Sequence, residues 1–365
     1  MKRILIVTWY CSNNFGTSLQ AFALQKHLSN LGYDVEILNH FLLDNSLKSI
    51  LKRIFGLLGL LRVIRFFRFI RKANLYTYIK SEINEKCIFT EKQYRKMLKE
   101  TDIFIAGSDQ IWNCYYRFDP FYFLDFVENK KCIAYASSIG TNSVAPQYSD
   151  KVRDLLVKFS SIGVREKTAI KVLSDLTGRN DIRQVLDPTF LLKVDCWKEF
   201  GNGAILDFDI PETYIFCYLI GDNEEYSRQL KDVVNKSGIG KVVIIPSIEN
   251  PQFNLEGAIV YKKAGPKEFI HLIEKCSLVC TDSFHASALS INMSKKFVEF
   301  KRFSDNEIQS QNSRLYDLLN QYNLRDRFYS SDDGWLNCID YEAIQALLIE
   351  DRMKSNNFLV NAIES

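Results

Sequence analysis

Histidine is scarce in this chain, and so are the arrangements that normally give histidine or cysteine a job. There are four His in 365 residues, no HExxH, and nine Cys that never fall into a CxxC pair. A zinc site and a secreted disulfide framework both need closer, repeated ligand pairs, so the cysteines read as reduced thiols, with Cys276 and Cys280 inside an apolar stretch. GxGxxG, a Walker A loop and GxSxG are missing too, which argues against dinucleotide, P-loop and serine-hydrolase chemistry. No metal and no cofactor is expected. The apolar run at the start, Ile4 to Val7, is too short for a signal peptide and soon meets Ser12-Asn13-Asn14, so a cytoplasmic protein is expected.

What is present is an ordinary enzyme composition, 47% hydrophobic and 25% charged, in a chain long enough for about two domains. The net charge of +3 conceals an asymmetry: between Lys48 and Lys72 lie eight Lys or Arg and no acid, leaving 3 − 8 = −5 elsewhere. Interleaved with Ile50, Leu51, Phe55, Phe66, Phe67 and Phe69, these cations predict a basic apolar helix over 48–72, within an insert at about 45–85. It packs on the protein's own core or lies on an anionic membrane surface. It does not span, because the longest uncharged piece, Ile54 to Leu61, is eight residues where about 20 are needed. No nucleic-acid motif accompanies the charge, so nucleic acid is not an expected partner.

The hydrophobic pattern predicts two doubly wound, Rossmann-like α/β domains facing a cleft, at 1–192 and 193–340, then a C-terminal helix over 341–365. Arg3 to Trp9, a helix after Gly16 capped by Gly32, and Asp34 to Asn39 make the opening βαβ unit. Further strands are expected at 103–106, 132–136, 162–164 and 185–186, with Asp187-Pro188-Thr189 starting a linker. The second half repeats the theme: strands at 214–220, 241–245, 259–261, 278–281 and 297–300, and helices over 224–236, 266–275, from Phe284, and over 313–322.

Four loops at predicted strand carboxyl ends, where open α/β sheets bind ligands, could carry chemistry. Asn14, Gly16 and Thr17 open a helix whose free N–H groups suit an anion, or form only a capped turn. Ser108, Asp109, Gln110 and Trp112 combine hydroxyl, carboxylate, amide and aromatic face, a set suited to a sugar, unless Trp112 is core. Arg165 could fork a phosphate or carboxylate, or pair with Glu166 at the surface. Asp282, Ser283 and His285 follow the 278–281 strand, with Ser283 as helix cap and His285 in the first turn. His285 is the best single candidate for a catalytic group.

Taken together and in this order, Asn14-Phe15-Gly16-Thr17-Ser18-Leu19-Gln20-Ala21, Gly107 to Asn113, Val164-Arg165-Glu166, Asp187-Pro188-Thr189, Thr281 to His285 and Asn312-Ser313-Arg314 resemble the polysaccharide pyruvyl transferase family. The resemblance runs from residue 4 to about 327. It implies a fold like that of GT-B glycosyltransferases. It also implies transfer of a pyruvyl group from phosphoenolpyruvate, as co-substrate, to two hydroxyls of a surface polysaccharide or its lipid-linked precursor, giving a cyclic ketal. His285 would then move protons, Arg165 would hold the donor, and Trp112, Asp109 and Gln110 would face the acceptor. Characterised members carry Arg-x-His at the last motif, where this chain has Ser283; Arg314 and Arg302 are the candidates to supply that cation. A GT-B-type glycosyltransferase with a nucleotide-sugar donor, and a non-catalytic glycan-binding or assembly protein, remain the alternatives. The enzyme would work in the cytoplasm or at the inner face of the membrane.

Overall fold

The computed structural model describes residues 1–10, 14–39, 78, 81–247, 250–303 and 311–365. The basic segment 48–72 lies outside the described residues, and with it the choice between packing on the core and lying on a membrane surface. In chain order the elements are β1 (Arg3–Val7), α1 (Phe15–Asn30), β2 (Asp34–Asn39), β3 (Glu85–Cys87), α2 (Glu91–Glu100), β4 (Ile103–Ala106), β5 (Lys131–Ser137), α3 (Ser149–Leu156), β6 (Phe159–Val164), α4 (Lys167–Thr177) and β7 (Arg183–Gln184). The chain continues through α5 (Pro188–Leu191), α6 (Val194–Gly201), β8 (Ile215–Tyr218), α7 (Tyr226–Ser237), β9 (Val242–Ile244), β10 (Ile259–Val260), α8 (Pro266–Lys275), β11 (Leu278–Thr281), α9 (Phe284–Asn292), β12 (Phe297–Glu299), α10 (Asn312–Gln321) and α11 (Tyr341–Glu364).

Two all-parallel sheets result, one in the order β3-β2-β1-β4-β5-β6-β7 and one in the order β10-β9-β8-β11-β12. This is the expected pair of doubly wound units. The central strands are continuous apolar runs because helices cover both faces, as in β1, where Ile4 to Val7 are all buried. Each sheet reverses its winding at one place, between β1 and β4 in the first and between β8 and β11 in the second. Three of the four loops the sequence singles out leave those strands, after β1, β4 and β11, and the fourth, with Arg165, leaves β6.

The inner faces of the two sheets share one hydrophobic cluster that runs from Ile4 and Ile6 to Phe216 and Val279. At its centre Phe15 stacks on Phe269 with ring centroids 5.0 Å apart and meets Tyr218 edge-on at 5.6 Å. Such aromatic pairs contribute about 0.5–1.5 kcal/mol each beyond their buried area. The helix α11 then fastens the two halves. Arg352 donates from Nε to the Phe190 carbonyl at 2.7 Å and from Nη2 to Asn292 Oδ1 at 2.6 Å, while Lys2 Nζ donates to the Ile363 carbonyl at 2.8 Å. Helix and sheet come so close that a Cβ on Gly163 of β6 would lie 2.8 Å from the Phe358 ring.

The structure departs from expectation around residue 185. The last strand of the first sheet is Arg183–Gln184, not Val185–Leu186. Val185 N still donates to the Val164 carbonyl at 2.9 Å, but Leu186 N turns away to Ser355 Oγ of α11 at 2.9 Å, which takes it out of the ladder. Asp187-Pro188-Thr189 is a helix start and not a linker: Asp187 caps α5, whose first residue is proline. Short elements escaped the pattern, among them the edge strand β3, only half-buried, and the helices α3 and α6.

Cys276 and Cys280 are buried as expected, and Cys338 is exposed. Among the described residues no helix is long and apolar enough to cross a membrane, and no cluster of three His, Cys, Asp or Glu could hold a metal ion.

Candidate active site

At the first reversal point the loops after β1 and β4 are tied to each other. Asn14 is extended and caps α1, its Oδ1 accepting from Gly16 N at 3.0 Å. Thr17 Oγ1 donates to Asp109 Oδ2 at 2.6 Å, and Thr8 Oγ1 to the Ser108 carbonyl at 2.8 Å. Asp109 has φ +72°, a left-handed conformation that aspartate tolerates better than most residues, and its Oδ1 accepts from Gln110 N. The second reversal point is laced in the same way. Asp282 Oδ1 accepts from Ile220 N at 2.6 Å, and Oδ2 accepts from Gly221 N and the Tyr226 hydroxyl, both at 2.8 Å. Burial pushes the Asp282 carboxyl upward from its ordinary pKa, partly offset by those donors.

The two points meet at Asp187. Its Oδ2 accepts from Arg165 Nη1 and from Ser108 Oγ, each at 3.1 Å, and lies 3.5 Å from His285 Nε2. That last separation is an ion-pair distance too long for a good hydrogen bond, and Nε2 has no hydrogen-bond partner among the described residues. The other oxygen accepts from Thr189 N and Oγ1 at 2.9 and 2.7 Å. Burial alone would raise the Asp187 pKa, but His285, Arg165 and the Thr189 N–H outweigh it and hold the carboxyl well below the usual range. Arg165 is also buried. Desolvation disfavours its charge, but Glu166, Asp187 and Asp109 more than restore it. The Arg165–Glu166 pair exists at 2.8 Å, yet it is an interior contact and not the surface pair that was the plainer alternative. Glu166 Oε1 also accepts from Ser138 Oγ at 2.7 Å.

Ser283 caps α9 as expected, accepting from Ala286 N at 3.5 Å, and so delivers His285 to the first turn. On its far side the imidazole rests against α1: a Cβ on Gly16 would lie 2.2 Å from His285 Nδ1. Glycine is required there for approach, not for a special φ. Gly16→Ala is therefore expected to push His285 off Asp187, lowering stability by about 1–3 kcal/mol as an overpacked contact does, and to reduce activity. Urea melts with parallel rate measurements check this.

Phe284 organises the cations. The Arg165 guanidinium lies 4.1 Å from its ring centroid and that of Arg314 lies 5.9 Å away. Arg314, though buried, forms no ion pair among the described residues. Nη2 donates to Gln311 Oε1 at 2.8 Å, which also accepts from Gln110 Nε2 at 2.9 Å, and its Nε is unpartnered, as is Arg165 Nη2. Burial, followed by repulsion from Arg165, pulls the Arg314 pKa down to about 9, still charged at neutral pH. Between them is a cavity of ≈ 20 Å³, room for about one water, bounded by Arg165, Glu166, Asp187, Phe284 and Arg314.

Of the sequence candidates, the structure brings Ser108, Arg165, His285 and Arg314 to this junction, with Gly16 packed on His285 and Asn14 and Thr17 shaping α1. Three placements need correcting. Trp112 offers no face to a sugar: it is 1% exposed, stacks on Phe123 at 5.2 Å, and donates from Nε1 to the Tyr122 carbonyl at 3.0 Å. Asp282 is not available to substrate, because both its oxygens are committed to the β8 loop and Tyr226. Asp109 is likewise occupied by Thr17 and Gln110 N, and Gln110 is half-buried. Asp187 and Glu166 were not selected from sequence, although Asp-Pro at the end of a strand is a helix-cap signal that could have drawn attention to the former.

The sequence model of the family described as polysaccharide pyruvyl transferase matches residues 14–300. No curated protein matches the chain. Solved structures similar to it include UDP-GlcNAc 2-epimerase from Neisseria meningitidis bound to UDP-GlcNAc, at 10% identity and TM-score 0.48, covering 97% of this chain and 100% of that one. The glycosyltransferase SnogD from Streptomyces nogalater shares 11% identity at TM-score 0.45, covering 99% of each chain. MurG from Acinetobacter baumannii shares 8% identity at TM-score 0.42, covering 100% of this chain and 99% of that one. At these values nothing about donor or acceptor rests on the likeness.

Proposed function

The chain belongs to the polysaccharide pyruvyl transferase family, and from that premise we propose that it transfers a pyruvyl group from phosphoenolpyruvate to a saccharide of a surface polysaccharide or its lipid-linked precursor, closing a cyclic ketal. The observation that carries the donor assignment is Arg314, a buried cation that forms no ion pair among the described residues, beside Arg165 Nη2, which has no hydrogen-bond partner among them. A buried unpaired charge is costly, and a phosphate or carboxylate between the two guanidinium groups would offset that cost. Arg314 thus supplies the positive charge that Ser283 lacks.

The chemistry then needs two protons moved. The donor's CH2 carbon takes one as the C2 centre gains oxocarbenium character, one sugar hydroxyl adds to C2, and the C2–O bond to phosphate breaks. The second hydroxyl closes the ring. Of the two hydroxyl protons released, one balances the new methyl group and the other leaves on phosphate. His285 is the proton carrier in this scheme, with the Asp187 carboxylate 3.5 Å from its Nε2. Parting of α10 from the Phe284 turn would widen this cavity for the donor, and reclosure would keep water from the cationic intermediate.

The direct test is incubation with phosphoenolpyruvate and lipid-linked or free oligosaccharides, reading phosphate release and the ketal by mass spectrometry. Thermal stabilisation by nucleotide sugars but not by phosphoenolpyruvate, with no phosphate released, would overturn the donor assignment. Arg314→Met is expected to leave the melting temperature unchanged or higher, since it removes the unpaired cation, and to weaken phosphoenolpyruvate binding about 10- to 100-fold. Calorimetric titration checks it.

A further inference from the structure

The expected acceptor-side aromatic is in the core, yet aromatic surface exists nearby. Trp9 directly follows Thr8 at the carboxyl end of the first sheet and is only half-buried. Tyr116 packs edge-on against it at 6.1 Å, and Tyr122 at 5.9 Å from the other direction. Tyr116 is 75% exposed, an unusual position for a large ring that supports no core.

These rings are held in place. Asn113 Oδ1 accepts from both Tyr115 N and Tyr116 N at 3.2 Å, and the Asn113 carbonyl accepts from Arg117 N at 2.9 Å, which fixes the loop carrying Tyr116. The Tyr115 hydroxyl is 2.9 Å from Ser143 Oγ. Tyr122 is secured by buried Trp112, whose indole N–H binds its carbonyl. Trp9 is secured by α1, as Gln20 Nε2 donates to the Trp9 carbonyl at 2.8 Å. Arg117 and Asp119, paired at 2.8 Å, add a polar rim. The cluster connects to the site by a short route: Thr8 holds the Ser108 carbonyl, and Ser108 Oγ binds Asp187.

We propose that Trp9, Tyr116 and Tyr122 form the acceptor subsite, a platform on which the apolar C–H face of a pyranose stacks while the exposed Arg117 guanidinium, held by Asp119, meets its hydroxyls. Stacking suits this position because the rings stand beside the β1–β4 reversal point, where an open parallel sheet receives ligands. A half-exposed aromatic can cover a sugar face without the desolvation that a buried charge would incur. The assignment of the bound sugar as acceptor rests on the pyruvyl-transfer reading; the platform itself does not.

Saturation-transfer NMR with methyl β-galactopyranoside, methyl β-glucopyranoside and methyl 2-acetamido-β-mannopyranoside, without any donor, tests the platform alone. The expected result is transfer to ring C–H protons of at least one glycoside, lost in Tyr116→Ala, kept in Tyr116→Phe, and reduced in Trp9→Ala. In turnover assays Tyr116→Ala should raise the acceptor KM about tenfold with the donor KM and kcat little changed, as loss of a binding contact does. Absence of transfer from all three glycosides, or transfer and acceptor KM indifferent to Tyr116→Ala, overturns the proposal. Tyr116-dependent transfer in a protein that does not use phosphoenolpyruvate would retain the platform and discard the donor assignment only.

Discussion

Asp187→Ala is expected to destabilise the protein by about 3–5 kcal/mol, the range for removing one partner of a buried ion pair. The substitution leaves the Arg165 guanidinium buried with Glu166 as its remaining carboxylate at contact distance, strips His285 of its counter-charge, and frees Ser108 Oγ and both Thr189 donors. It also uncaps α5, worth about 1 kcal/mol of that total. Asp187→Asn separates charge from shape, because the amide retains an oxygen for Thr189 and a similar volume. The sign of the pH dependence follows from the folded carboxyl being held below its unfolded value. The stabilisation is complete above the unfolded pKa, near 4, and is lost as the pH falls toward the folded value. Urea melts between pH 3 and 7 should show the wild type weakening in acid and Asp187→Asn lacking that component. Equal slopes for the two proteins would contradict the assignment of Asp187 as the charged centre of the cluster.

His285→Gln is expected to lower kcat by about 10²–10⁴-fold, the usual contribution of a positioned proton-transfer group, while phosphoenolpyruvate binding through Arg165 and Arg314 survives. Glutamine fills most of the space over Gly16 and avoids the void that alanine would leave, so the urea midpoint should move less than in Asp187→Ala. Single-turnover kinetics with calorimetric donor titration distinguish a lost proton carrier from a lost binding site. If the variant turns over at the wild-type rate, proton transfer belongs to another group. If His285→Ala sustains full polysaccharide modification in the cell, the protein acts as a glycan-binding or assembly component.

The parallel strands were largely legible in the sequence because each is a buried apolar run ended by a polar loop, as in Ile103–Ala106 and Leu278–Thr281. Helix starts were legible where a local cap writes them, at Gly265-Pro266 and at Ser283-Phe284. Short elements lacked that signal. The edge strand β3 is three polar-to-intermediate residues, and Leu186 leaves its ladder because of a serine almost 170 positions later. Aromatic side chains were the hardest to place. Trp112 and Trp9 both sit just past a strand of the first sheet, and only packing makes one a core residue and the other part of the surface.

The sequence by itself determined the two parallel sheets, the four polar loops at their carboxyl ends and the position of His285 in a helix's first turn, since periodicity and caps are properties of neighbouring residues. Tertiary structure decided what those loops form together. Asp187 gathers groups from residues 108, 165, 189 and 285, Gly16 yields the space that His285 occupies, and Arg165 and Arg314 both stand against Phe284. Charges and volumes brought together from opposite ends of a chain are set by the meeting of the two sheets, and that information is not carried by any single segment.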